Sequence, residues 1–128
     1  MTIFITKQTI VDGERNLVVK TILIGDNGSD VTDTLLIDAS DYSGSFTDLK
    51  IMKIQAHLNG FSLMLEWDAN TNVDALSIPG DEWVNYNFFA EGGLPNNAGT
   101  GKTGDIDIDT SGMGTGEAGS IVFWLRKS

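Results

Sequence analysis

Short apolar runs broken by Gly, Asn and Asp recur along the whole chain, and the i, i+3, i+4 apolar spacing of an amphipathic helix is nowhere sustained. The clearest local pattern surrounds Asn59-Gly60, which separates two strand-like runs, Lys50–Leu58 and Phe61–Trp67. A two-residue Asn-Gly loop suits a type I′ turn, because both central residues then need positive φ. Such a turn fixes a register with Leu58 facing Phe61, Ala56 facing Leu63 and Ile54 facing Leu65, and with Met52 and Trp67 at the far end. The other face would set Lys53 against Glu66 and His57 against Ser62. Apolar and polar side chains sort cleanly, so the pattern predicts a β-hairpin over 50–67.

Weaker versions of the same argument give the other strands. Asn16–Ile24 is apolar on both faces, as a central strand would be, and Gly25-Asp26-Asn27-Gly28 reads as a turn. Val31–Asp38 follows, and Val73–Ile78 ends at the break Pro79-Gly80. Trp83–Phe89 alternates, with Val84, Tyr86 and Phe88 on one face and Asn85 and Asn87 on the other. Lys102–Thr110 alternates Ile106 and Ile108 with aspartates, and Ile121–Lys127 is apolar on both faces until Arg126. Thr2–Ile10 is either an edge strand or part of an extended N-terminal arm over residues 1–10. The expectation is an all-β, single-domain β-sandwich or jelly roll of about eight short antiparallel strands spanning 1–128. Two segments resist assignment: Glu91–Gly104 holds five glycines and Pro95, and Ser111–Gly119 holds four glycines. Long loops of this kind are either plain connections or contact elements.

Composition agrees with the pattern and narrows the chemistry. Aspartate outnumbers glutamate 13 to 5 and there are 15 glycines, a mixture that favours turns over helix interiors. Cysteine is absent, which excludes disulfides, thiolate metal sites and a Cys nucleophile, and a single histidine, His57, removes most His-based zinc and triad chemistry. With 18 acids, 8 bases and a net charge of −10, the chain is not built to meet phosphates, so no nucleic-acid partner is expected. No apolar run approaches the roughly 18 residues of a membrane span, and Met1–Lys7 lacks the basic start and apolar stretch of a secretory signal. Acid is concentrated between Glu66 and Glu117, where ten acids accompany one base, Lys102. That half reads as a solvated surface, or as one facing a basic partner or calcium.

Individual motifs fall short of catalysis. Gly99-Thr100-Gly101-Lys102-Thr103 resembles the end of a phosphate-binding loop, but Asn96 stands where the first glycine is needed and a strand pattern follows instead of a helix. Asp105, Asp107 and Asp109 match the first three ligands of an EF-hand, yet Thr110 replaces the required glycine and Gly116 the twelfth-position glutamate. The period-2 aspartates are better read as the wet face of a strand whose dry face carries Ile106 and Ile108. Asp26, Asn27 and Asp30 default to a turn. Trp67, Trp83, Trp124, Tyr42 and Tyr86 could build a sugar-stacking platform, although alternating aromatics more often belong to a core, and Trp67 falls on the apolar side of the expected hairpin. No catalytic residue, no cofactor and no metal site is expected, and the chain reads as a non-enzyme.

One resemblance guides a functional expectation. Val11-Asp12-Gly13, Gly92-Gly93-Leu94-Pro95-Asn96-Asn97-Ala98-Gly99, Thr103-Gly104-Asp105-Ile106 and Ser120-Ile121-Val122-Phe123-Trp124-Leu125-Arg126-Lys127 look like small structural proteins of tailed bacteriophages, of the head decoration or cement type. The resemblance implies a β-rich virion protein, assembled in the host cytoplasm, that sits on the capsid surface as a homotrimer and bridges subunits of the major capsid protein. It brings no catalytic residues. The contact elements would be the termini and the Gly-rich loops: Ile3, Phe4, Ile5, Leu94, Pro95, Asn96, Asn97, Met113, Arg126 and Lys127. Deleting Met1–Lys7 or Arg126–Ser128 should then weaken attachment and leave the domain folded. The alternative is a glycan-binding β-sandwich of a virion that attaches to the host surface. Exposed tryptophans gathered on one face would favour it.

Overall fold

The computed structural model describes residues 3–26 and 30–128. Among them nine strands form: β1 (Ile3–Asp12), β2 (Asn16–Gly25), β3 (Thr34–Ile37), β4 (Leu49–Leu58), β5 (Ser62–Trp67), β6 (Val73–Ile78), β7 (Trp83–Asn87), β8 (Ile106–Ser111) and β9 (Ala118–Lys127). Two antiparallel sheets result, one ordered β1-β2-β9-β4-β7 and the other β3-β8-β5-β6. The expected all-β sandwich is therefore the observed fold. Asn27 and Gly28 of the expected turn, and Met1 and Thr2, lie outside the described residues.

Alternation along the strands builds the core. Leu17, Val19, Leu23, Ile54, Leu58 and Phe123 of the five-stranded sheet face Leu63, Leu65, Trp67, Ile106 and Ile108 of the four-stranded sheet, and all are buried. Each such side chain contributes about 1.5–3 kcal/mol on leaving water, which is what holds the two layers together. β1 lies along β2 as an edge strand, not as a free arm.

The expected hairpin over 50–67 does not form. β4 pairs with β7 and β9, whereas β5 pairs with β6 and β8, so Asn59-Gly60 carries the chain from one sheet to the other. Lys53 therefore never meets Glu66. The apolar side chains point inward as expected, because an arch between facing sheets and a hairpin within one sheet bury the same alternating set. Of the two turn residues only Gly60 has positive φ, at 89°, which rules out a type I′ turn. Its N–H donates to Asp81 Oδ1 at 2.9 Å, and the Asn59 N–H donates to the Ala118 carbonyl.

Several boundaries also move, those of β8 and β9 among them. β8 begins at Ile106, because Asp105 is held outside the strand, its carboxylate accepting the Ala39 N–H at 2.8 Å. β9 begins at Ala118 and takes Gly119 from the expected loop. Gly119 pairs with Leu23 on one side and Leu58 on the other, and a Cβ there would stand 2.5 Å from Leu58 Cδ2, so a larger residue would force the Leu58 side chain to shift.

Candidate binding face

The outer surface of the five-stranded sheet is organised in rows that cross every strand. Register places Thr6, Ile22, Ser120, His57 and Trp83 side by side. The next row holds Gln8, Lys20, Val122, Gln55 and Asn85. Beyond it lie Val11, Val18, Trp124, Lys53 and Asn87. Alternation dictates this: on β7, Val84 turns into the core and so sends Trp83 and Asn85 outward.

Trp83 dominates the face. It is 87% exposed, far more than any other large apolar side chain among the described residues. Its only ring neighbour is His57, at 4.7 Å between centroids with the planes tilted by 41°. The start of β7 is held by Asp81, a non-glycine at φ 62°, whose N–H donates to the Leu58 carbonyl and whose carboxylate accepts from Gly60. The indole is thus set by the arch between β4 and β5 and left open to solvent. Between this aromatic wall and Ile22, the small residues Ala118, Gly119 and Ser120 form the floor of a groove of about 580 Å³, with Gln55 and Asn85 adding amide groups. A second tryptophan, Trp124, lies half-buried on the same face with Lys53 Nζ 5.0 Å from its ring centre. The strand positions on this face carry Lys20, Lys50, Lys53 and Arg126 and no acid. An open indole, flanking amides and a hydroxyl can stack against a flat apolar ligand face and hydrogen-bond its polar rim.

Acid collects on the opposite sheet. Glu66 and Asp109 project from its outer surface, and Asp33 reaches them from the segment before β3, with one oxygen of each carboxylate within 4.8 Å of the others. The Asp33 N–H donates to Asp109 Oδ1 at 2.7 Å, and Asn72 Nδ2 donates to both Asp33 and Asp107. Burial, followed by the neighbouring Asp33 and Asp109 carboxyls, pushes Glu66 up to about 8. Burial and then Asp68 push Asp107 up to about 7, against the opposing Asn72 hydrogen bond. The expected wet face of β8 is thus only partly wet, since Asp107 is buried beneath Asn72 and its neighbours.

The expected partner-contact residues are not brought together. Phe4 is exposed on β1 near Ile24, while Ile3 and Met113 are buried in the core and Ile5 is half-buried at the same end. Leu94 bridges Ile51 through both backbone groups, and Asn96 donates to Asp48 Oδ1, leaving Pro95 and Asn97 exposed at the opposite end. Arg126 is half-buried on the outer face, and Lys127 is buried. Of the candidate aromatics, Trp67 is core, and Tyr42 and Tyr86 are half-buried against it. His57, Gln55, Asn85 and Ser120 were not singled out by sequence as a group. The alternation that put Asn85 and Asn87 on one face was the available signal, and it also places Trp83 there.

No protein-family profile and no curated protein sequence matches the chain. Solved structures do resemble it. One variant of CBM29-2, a family 29 carbohydrate-binding module studied for ligand recognition, superposes with a TM-score of 0.51 at 13% identity, covering 95% of this chain and 91% of that one. A second variant of the same module gives a TM-score of 0.50 at 12% identity over the same shares. At these identities the likeness defines a shared two-sheet β-sandwich.

Proposed function

We propose that the protein is a non-enzymatic glycan-binding domain whose ligand lies across the outer face of the five-stranded sheet. The observation that carries this reading is Trp83, an almost fully exposed indole at the wall of a groove floored by Ala118, Gly119 and Ser120. A sugar ring would stack its C–H face on Trp83, while Gln55, Asn85, Ser120 and His57 receive its hydroxyls. Trp124 and Lys53 would extend the platform toward the next rows. The sandwich shared with a carbohydrate-binding module supports the reading at the level of fold. The test is a glycan array followed by calorimetry on the best ligand. Trp83→Ala should weaken binding at least tenfold, a loss of about 1.4 kcal/mol, without lowering the melting temperature. Leu35→Ala, an exposed residue of the other sheet, should change neither. Retention of no glycan, or equal affinity of wild type and Trp83→Ala, would refute it.

A capsid-decoration role has one observation in its favour. β1 leaves a ten-residue edge strand on which Phe4, Ile10 and Val11 are exposed, a surface that a neighbouring chain could cover. Co-sedimentation with phage capsids, together with failure on the glycan array, would favour trimer formation and docking onto a major capsid protein over glycan binding.

A further inference from the structure

We propose that Asp33, Glu66 and Asp109 hold one divalent cation of the calcium type on the outer face of the four-stranded sheet, away from the aromatic face. The three carboxylates come from three separate elements: the segment before β3, strand β5 and strand β8. Their oxygens lie within 4.8 Å of one another, the span of two ligands on opposite sides of an ion bound at the calcium–oxygen distance of about 2.4 Å. Proximity of acids alone would not make a site. The second observation is Glu66 itself. It is only 7% exposed, and its Oε1 is fully buried with no hydrogen-bond donor in reach. A buried carboxylate oxygen without a partner is costly, and a cation at the centre of the cluster is the partner that geometry provides.

The surroundings fit this assignment. The neutral donors nearby are already committed: Asn72 Nδ2 to Asp33 and Asp107, and the Asp33 N–H to Asp109. Asn72 Oδ1 accepts the Ala69 N–H, which locks the amide in its orientation and leaves its donor side toward the acids. Among the described residues the ion pairs are Lys102–Asp48 and Lys127–Asp12, so no ammonium or guanidinium neutralises the cluster. An all-oxygen donor set without His or Cys selects a hard cation. Calcium suits an irregular site built from loop and strand, whereas magnesium demands a near-ideal octahedron. The reading of the sequence weighed calcium only within contiguous stretches of chain, and expected no metal site. Of the aspartates it considered, only Asp109 belongs to this site, and Glu66 and Asp33 join it through the sheet register and the crossing of the chain.

The test uses the full chain stripped with EDTA and titrated with calcium chloride. Calorimetry should give saturable binding of one ion per chain, and saturating calcium should raise the melting temperature by several degrees. Magnesium at equal concentration should do less. Glu66→Gln should lose at least tenfold in calcium affinity while remaining folded, because the amide keeps the shape of the side chain and can donate to the neighbouring carboxylates. Asp33→Asn, at an exposed position, provides a second variant whose folding is not at stake and should also lose affinity. Absence of saturable binding, or an equal calcium response in wild type and Glu66→Gln, would overturn the proposal. In that case the carboxyls hold together by shared protons.

Discussion

Replacing Lys127 by Met should unfold the protein far more readily than its place beside the last residue suggests. The Lys127 side chain is 2% exposed. Its ammonium donates to the Asp12 carboxylate and, at 2.7 Å each, to the carbonyls of Gly13 and Ser43, and it lies 5.4 Å from the centre of the Phe46 ring. It therefore ties the β1–β2 turn, the 43–46 loop and β9 into one unit. Methionine keeps the length and the apolar stem, so the substitution removes the charge and its hydrogen bonds and little else. Breaking a buried pair costs about 3–5 kcal/mol when a charge is stranded. Here the partner, Asp12, is 27% exposed and regains water, so the expected cost is nearer 2–3 kcal/mol, with the two orphaned carbonyls as the larger part. At roughly 3–6 °C per kcal/mol for a domain of this size, the melting temperature should fall by about 10 °C. Calorimetric melts of wild type, Lys127→Met, Asp12→Asn and the double variant provide the assay, and the double variant should lose less than the sum of the singles. A Lys127→Met protein that melts within about 2 °C of wild type would show that the ammonium is not bound as described. By the same reasoning, deleting Arg126–Ser128 should not leave an intact domain: it also removes the Ser128 carbonyl, which accepts the N–H groups of Thr47 and Asp48.

Two further outcomes follow from the same structure. Gly60→Val should lower the melting temperature, since φ is 89° there and an added Cβ would collide with the Glu117 carboxylate that also accepts the Gly114 N–H; an unchanged melt would show that the arch tolerates a β-branched residue. In EDTA, stability should fall as pH rises from about 4.5 to 8: Glu66 and Asp107, raised to about 8 and about 7, bind more protons folded than unfolded across that window, with Asp33, Asp109 and Asp68 as the facing acids, so a higher melting temperature at pH 8 than at pH 5 would refute the shift.

The strands were legible because burial follows a period of two whether or not the partner is known. Val84, Ile106, Ile108 and the inward residues of β4 and β5 could all be placed on the correct side from alternation alone. Partnership was not legible. Leu58 and Phe61 turn inward in a hairpin and in an arch alike, and the choice between them is made by β9, which is sixty residues away in sequence and pairs with β4 in place of β5. Asn59-Gly60 favours a tight reversal, but the reversal is equally useful for crossing from one sheet to the other. The segment 111–119 read as loop because four of its nine residues are glycine. Gly119 nevertheless joins β9, paired with Leu23 and Leu58 and close against the Leu58 side chain.

Sites depend on partnership, and for that reason both candidate sites lay beyond local pattern. The aromatic face requires β7 to lie beside β4, which brings His57 to Trp83, and β9 to lie between β4 and β2, which puts Ser120 and Ala118 on the groove floor. Under the hairpin register His57 would instead have faced Ser62, and Trp83 would have had no assigned neighbour. The acid cluster has the same origin. Glu66 was given Lys53 as a partner by the wrong register; the correct one sets it opposite Asp107 and beside Asp109, and separates it from Lys53. Bases therefore remain on one outer face, at Lys20, Lys50, Lys53 and Arg126, while the carboxylates of β5 and β8 gather on the other. This division of charge, set by which strands are neighbours, leaves the face bearing Trp83 free of acid groups along its strands and leaves Glu66 beside Asp33 and Asp109 with its Oε1 without a hydrogen-bond partner.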